Sequence, residues 1–142
     1  IRDLVRSRGL GDVYKRQRDN HLEPYVILHG PLHSDKLDEQ FEKADFAIGS
    51  LGRHRSGITY IKTLKNREYA ARGLSFTYSE TDEDFDRMPY VWKVPPDESP
   101  IDICGLINFQ RSQQMSPPEI RETVRALSWT AQMRKVIHET EI

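Results

Sequence analysis

Six side chains in this sequence bring together groups that can hold a phosphate and a hydroxylated sugar: Arg53, His54, Arg55, Lys62, Lys65 and Glu68. Arginine offers a planar fork to a phosphate and lysine a mobile point charge. A carboxylate accepts hydrogen bonds at two oxygens, which suits a pair of hydroxyls. Lys65, Arg67 and Glu68 fall in the first turn of a predicted helix, where unpaired backbone N–H groups favour an anion or a hydroxyl. Arg53, His54 and Arg55 lie between Gly52 and Gly57, just past a predicted strand, on the side where open α/β sheets bind ligands. With Lys62 and Lys65 they could surround a diphosphate. Plainer readings exist for the same residues: a solvated basic loop, and a first-turn acid favoured by the helix dipole.

Other chemistry finds little support. His29 and His33 are four apart but straddle Gly30-Pro31, so they do not share a helix face, and no Cys or acidic spacing completes a metal site. The acidic stretch Glu80 to Asp86 lacks the glycine and closing glutamate of a calcium loop and reads as a solvated loop beside the cleft. Cys104 lies on an apolar helix face with no neighbour placed to activate it. No metal and no cofactor is expected, and no residue is assigned a catalytic role.

The elements that must position these groups follow from pattern. Tyr25 to His29 reads as a buried strand ending at Gly30-Pro31. Ser34 or Asp35 can cap a helix on which Leu37, Phe41 and Ala44 recur on one face. Asp45 to Gly49 is a second strand, whose unbroken Phe-Ala-Ile centre suits a sheet covered on both faces. After the polar loop comes a helix from Leu64, with Leu64, Tyr69, Ala70 and Ala71 as its packed face and Gly73 as its left-handed C′ residue. Leu74 to Tyr78 and Tyr90 to Val94 are the third and fourth strands. Past the Pro95–Pro100 turn a helix presents Ile103, Leu106 and Ile107, and Ser116-Pro117-Pro118-Glu119 starts another with the stripe Ile120, Val124 and Leu127. A last helix carries Trp129, Met133, Val136 and Ile137 for core or interface packing. Strand–helix alternation predicts an α/β fold with a parallel sheet of about four strands and flanking helices.

Ala44-Asp45-Phe46-Ala47-Ile48-Gly49-Ser50 and Leu64 to Ser79, with Arg67-Glu68-Tyr69-Ala70-Ala71-Arg72-Gly73 at the centre, resemble the C-terminal half of a nucleotide-sugar glycosyltransferase of the GT-B type. The likeness runs over about residues 24–137, and includes the acidic turn after Pro95 and the terminal helix bearing Trp129. It implies an incomplete Rossmann-like half of a two-domain fold, in which Glu68 holds the ribose hydroxyls of the donor. It implies a nucleotide-diphosphate-sugar as donor substrate and a sugar or lipid-linked acceptor docked on a missing N-terminal domain. It also implies a terminal helix that crosses back to that domain, and peripheral membrane association of the full-length enzyme. In the family a second glutamate stands eight positions before the first; that position is Tyr60 here, so neither a retaining nor an inverting outcome is implied.

The chain has 142 residues and a formal net charge of −1, with a mean hydropathy of −0.70. That is one domain's length with a modest apolar share. One cysteine excludes an internal disulfide framework and fits a reducing compartment. No apolar run approaches the roughly 20 residues of a membrane span, so a soluble, cytoplasmic protein is expected. Residues 1–18 carry six Lys/Arg against two Asp/Glu, and residues 19–142 fifteen against twenty. A basic leader can bind nucleic acid. Residues 1–17, Gly9 to Gln17 above all, instead resemble translated sequencing adapter, which makes 1–17 an artefactual or disordered leader, 18–142 a truncated donor-binding domain, and nucleic acid no partner. The fragment alone is then expected to transfer no sugar. The alternative from another class is a non-catalytic α/β interaction or nucleotide-binding module. A receiver-like version is disfavoured by Ser50 and Ser79 at the strand ends, where an acceptor aspartate belongs.

Overall fold

The computed structural model describes residues 14–140, with side chains through Ile137. Positions 1–13 of the adapter-like leader lie outside the described residues. The chain divides into two compact units, the first ending at Glu39 and the second starting at Gln40.

In the first unit, residues 14–19 are helical and the chain then turns at His21, whose φ is +53°. The expected strand Tyr25–His29 does not form: this stretch is irregular, and Tyr25 and Ile27 are exposed. Local bonding explains the difference. The amides of Tyr25 and Val26 both donate to the Leu22 carbonyl at 2.9 Å, and the Gln17 side chain donates to the Val26 carbonyl. A strand would need those groups for a neighbour.

Helix α1 (Asp35–Glu42) leads into the second unit, where three strands form a parallel sheet in the order β1 (Ala47–Ile48), β2 (Phe76–Tyr78), β3 (Val91–Lys93). Ala47 pairs with Phe76 and Phe76 with Val91. The fold is therefore α/β with an open parallel sheet, of three strands among the described residues. All three residues of β2 are buried, as a strand covered on both faces requires. On one face Phe76 and Tyr78 stack at 5.8 Å and meet Phe85 and Tyr90, with Ala70, Ile120 and Val124 closing the core. Burying Phe76 and Phe85 contributes about 1.5–3 kcal/mol each. On the other face Trp92 packs on Phe109 of helix α3 (Ile103–Ser112) at 5.3 Å.

Helix α2 (Leu64–Ala71) links β1 to β2. Thr63 caps it by accepting from the Asn66 amide at 3.3 Å. At its other end the Gly73 amide donates to Ala70 and the Leu74 amide to Tyr69, at 2.9 and 3.0 Å. This paired closure puts Gly73 at φ +80°. A Cβ there would also lie 2.6 Å from Pro117, so the first residue of helix α4 (Pro117–Thr123) needs glycine beneath it. The packed face of α2 matches the expected one at Ala70 and at Tyr69, which packs against the core, and differs at the other positions. Asn66 and Ala70, four apart, are fully buried, while Leu64 is 84% exposed and Ala71 is exposed. Ile103 and Ile107 are likewise exposed, and packing of α3 falls to Phe109. The predicted cap of α4 is present: the Ser116 amide donates to Glu119 at 2.7 Å. Helix α5 (Trp129–Thr140) follows a short turn over Arg125–Leu127, and its Trp129 is 80% exposed rather than part of the core.

Candidate functional site

Parallel strands deliver their carboxyl ends to one edge, and the segments that leave β1 and β3 meet there around a cleft of about 440 Å³. From the β1 side come Leu51, His54 and Arg55; from the β3 side come Trp92, Lys93, Val94 and the turn Pro95 to Asp102. The volume lies within the range of small-molecule sites, roughly 300–1,000 Å³. The segment Arg53–Ser56 is a single 3₁₀ turn closed by Gly57 at φ +68°. It places His54 and Arg55 on the cleft wall.

Glu98 meets both. Arg55 Nε and Nη2 donate to its two carboxylate oxygens at 2.7 and 2.5 Å, and His54 Nε2 lies 2.9 Å from Oε1. These bonds, Arg55 first and His54 second, hold the Glu98 carboxyl down to about 2. His54 Nδ1 is buried with no protein partner. Asp97 accepts from the Ser99 amide at 2.8 Å, which fixes the turn carrying Glu98.

The structure separates the six residues named from sequence. Arg55 and His54 line the cleft. Arg53 lies outside its wall, with Nε 3.5 Å from Ser50 Oγ. Lys62 faces the other way, 3.3 Å from Asp84 and 3.7 Å from Glu83. Lys65 is exposed, outside the cleft wall and without an ion-pair partner among the described residues. Glu68 is also outside the wall; its Oε1 accepts from Arg72 Nε and Nη2, both at 3.3 Å, one helical turn on. Arg72 is itself anchored over the Phe41 ring at 4.1 Å.

The acidic stretch differs from its expected solvated form. Asp82 and Glu80 are buried. Asp82 accepts from Arg67 at 3.1 Å and from the Asn66 side chain at 3.3 Å, and Arg67 also donates to Asp84. Asp86 accepts from Tyr78 Oη at 2.6 Å and from Lys93 at 2.9 Å. Burial pushes the Asp86 carboxyl up, but the bonds from Tyr78, Lys93 and the Asp82 amide, with the Lys93 charge, together outweigh it and leave it below its ordinary value. Burial, with the Asp86 bond, pushes the Tyr78 hydroxyl up. Arg67 is thus spent on structure.

Glu98, Asp97 and Lys93 are site residues that pattern reading missed. The available signal was positional: an acid in a proline-bounded turn directly after a strand, on the ligand-binding edge. Among the described residues no group of acids, histidines and cysteines could hold a metal ion, and no helix is long and apolar enough to cross a membrane. No protein family, curated protein or solved structure matches this chain.

Proposed function

We propose that this chain is the donor-binding part of a two-domain glycosyltransferase that uses a nucleotide-diphosphate-sugar. One observation carries the reading: a cleft at the carboxyl edge of a parallel sheet, the edge where α/β folds take ligands, carries Arg55 and His54 side by side on its β1 wall, facing the acids Asp97, Glu98 and Asp102 of the β3 turn. In this reading Arg55 and His54 hold the diphosphate. Sugar transfer releases a nucleoside diphosphate, so cations fixed in advance stabilise the charge that develops on the leaving group. The acceptor belongs to a second domain facing the cleft, and transfer needs both.

The test is calorimetric titration of uridine diphosphate and guanosine diphosphate onto the wild-type chain, Arg55→Ala and Glu68→Ala. The proposal expects saturable binding of at least one of them, lost in Arg55→Ala and kept in Glu68→Ala, whose side chain stands outside the cleft wall. A non-catalytic module without this site would show no difference among the three proteins.

A further inference from the structure

We infer that Glu98 is a built-in occupant of the phosphate position: its carboxylate sits on Arg55 and His54 in the ligand-free chain, and a phosphate-bearing ligand must displace it to use those groups. The inference rests on the cleft being a phosphate site, as proposed above, and adds how that site is filled when empty of ligand.

The donor set argues for it. A guanidinium fork binds carboxylate and phosphate by the same two-point geometry, and Arg55 uses both arms of its fork on Glu98. His54 adds a contact to the same oxygen. Two side chains from the β1 side thus converge on one anion that arrives from the β3 side, 43 residues away in sequence. Stability does not explain the arrangement. The side chains of Arg55 and Glu98 are 69% and 65% exposed, and exposed pairs contribute little to folding. Such a pair opens at small cost, yet while closed it occupies the donors a phosphate would use. The Glu98 carboxyl stays ionised across the ordinary pH range, so it competes at every pH at which a phosphate does. The consequence is selectivity by charge. A diphosphate offers more negative charge to Arg55 and His54 than one carboxylate does, whereas a singly charged ligand only matches what it must remove.

Inorganic pyrophosphate is the probe, titrated by calorimetry onto the 142-residue chain and its variants, with a thermal melt of each to establish folding. Glu98→Gln should bind pyrophosphate about three- to tenfold more tightly than wild type, the scale of losing one exposed ion pair and one nearby negative charge. Asp102→Asn is the charge control. It removes an acid from the same cleft wall, leaves the Arg55 contacts alone, and keeps a good helix cap for α3. It should gain less than about twofold. Adding Arg55→Ala to Glu98→Gln should abolish the gain.

Equal gains in Glu98→Gln and Asp102→Asn would overturn the inference, as would unchanged or weaker binding by Glu98→Gln. If wild type binds pyrophosphate through Arg55 while Glu98→Gln binds it no better, the phosphate site stands and the occupant does not. If no variant binds, both fail. On the wild-type chain the Arg55 Nε–H resonance provides a second reading that needs no substitution. It should move as pyrophosphate replaces Glu98; a resonance that stays put at saturation contradicts the displacement.

Discussion

Two charged regions meet the same sheet, and they use charge in opposite ways. In the acidic stretch Glu80–Asp86 two carboxylates, Glu80 and Asp82, turn inward while Glu83 stays exposed; Asp82 is fully buried and is met by Arg67 and Asn66. At the cleft rim the charges face water, and Arg55, His54 and Glu98 pair across an open space. The first arrangement fixes a loop, because an uncompensated buried charge is costly. The second can exchange partners at little cost. Charge density is therefore a poor guide to a binding site; what distinguishes the regions is whether each charge is already enclosed with its partner.

The contrast can be broken by substitution. Arg67→Met leaves the buried Asp82 carboxylate with neutral donors alone, the Asn66 side chain and the Asp84 amide, and should cost about 3–5 kcal/mol in urea unfolding. A loss under about 1 kcal/mol would place the acidic stretch with the rim. Gly73→Ala tests the anchor of α2, the helix that brings Asn66 and Arg67 to the acidic stretch. A left-handed backbone and a Cβ 2.6 Å from Pro117 should together cost roughly 2–4 kcal/mol.

Acid sharpens the comparison. Glu98 titrates at about 2 in the folded chain against an ordinary 4.5. Its contribution is thus complete above pH 4.5 and fades as pH falls toward 2. Asp86 has the same sign: its contribution is present above its ordinary 3.8 and is lost as pH drops through the lower folded value. Melting temperature should therefore fall with acid in wild type and less steeply in Glu98→Gln. An identical slope would mean that this exposed pair contributes nothing measurable to folding. The smallest effect belongs to Arg55→Ala, which should leave the melting temperature at pH 7 nearly unchanged while removing diphosphate binding. A large drop in stability would make Arg55 structural.

Much of the scaffold was legible because local rules set it. The left-handed turn at Gly73, the Ser116–Glu119 cap and the two-faced burial of β2 each follow from residue type over a few positions. What failed depended on partners distant in sequence. Tyr25–His29 has strand composition, yet its first amides go to Leu22 and no pairing strand claims them. Leu64 looked like a packed residue, but its place in α2 points it outward while polar Asn66 takes the core side to meet Asp82. The rim was half legible. Arg55 and His54 stood out by type and by their place after β1, whereas Glu98 gains meaning only when the β3 turn is seen across from them.

The location of a bound diphosphate tests the account most directly. In a ¹⁵N–¹H spectrum of the labelled chain, saturating uridine diphosphate should shift the amides of 50–57 and 93–99 and the Arg55 Nε–H, while those of Arg121–Ser128, which line a separate cavity, stay still. Shifts confined to Arg121–Ser128, or none at all, would contradict it.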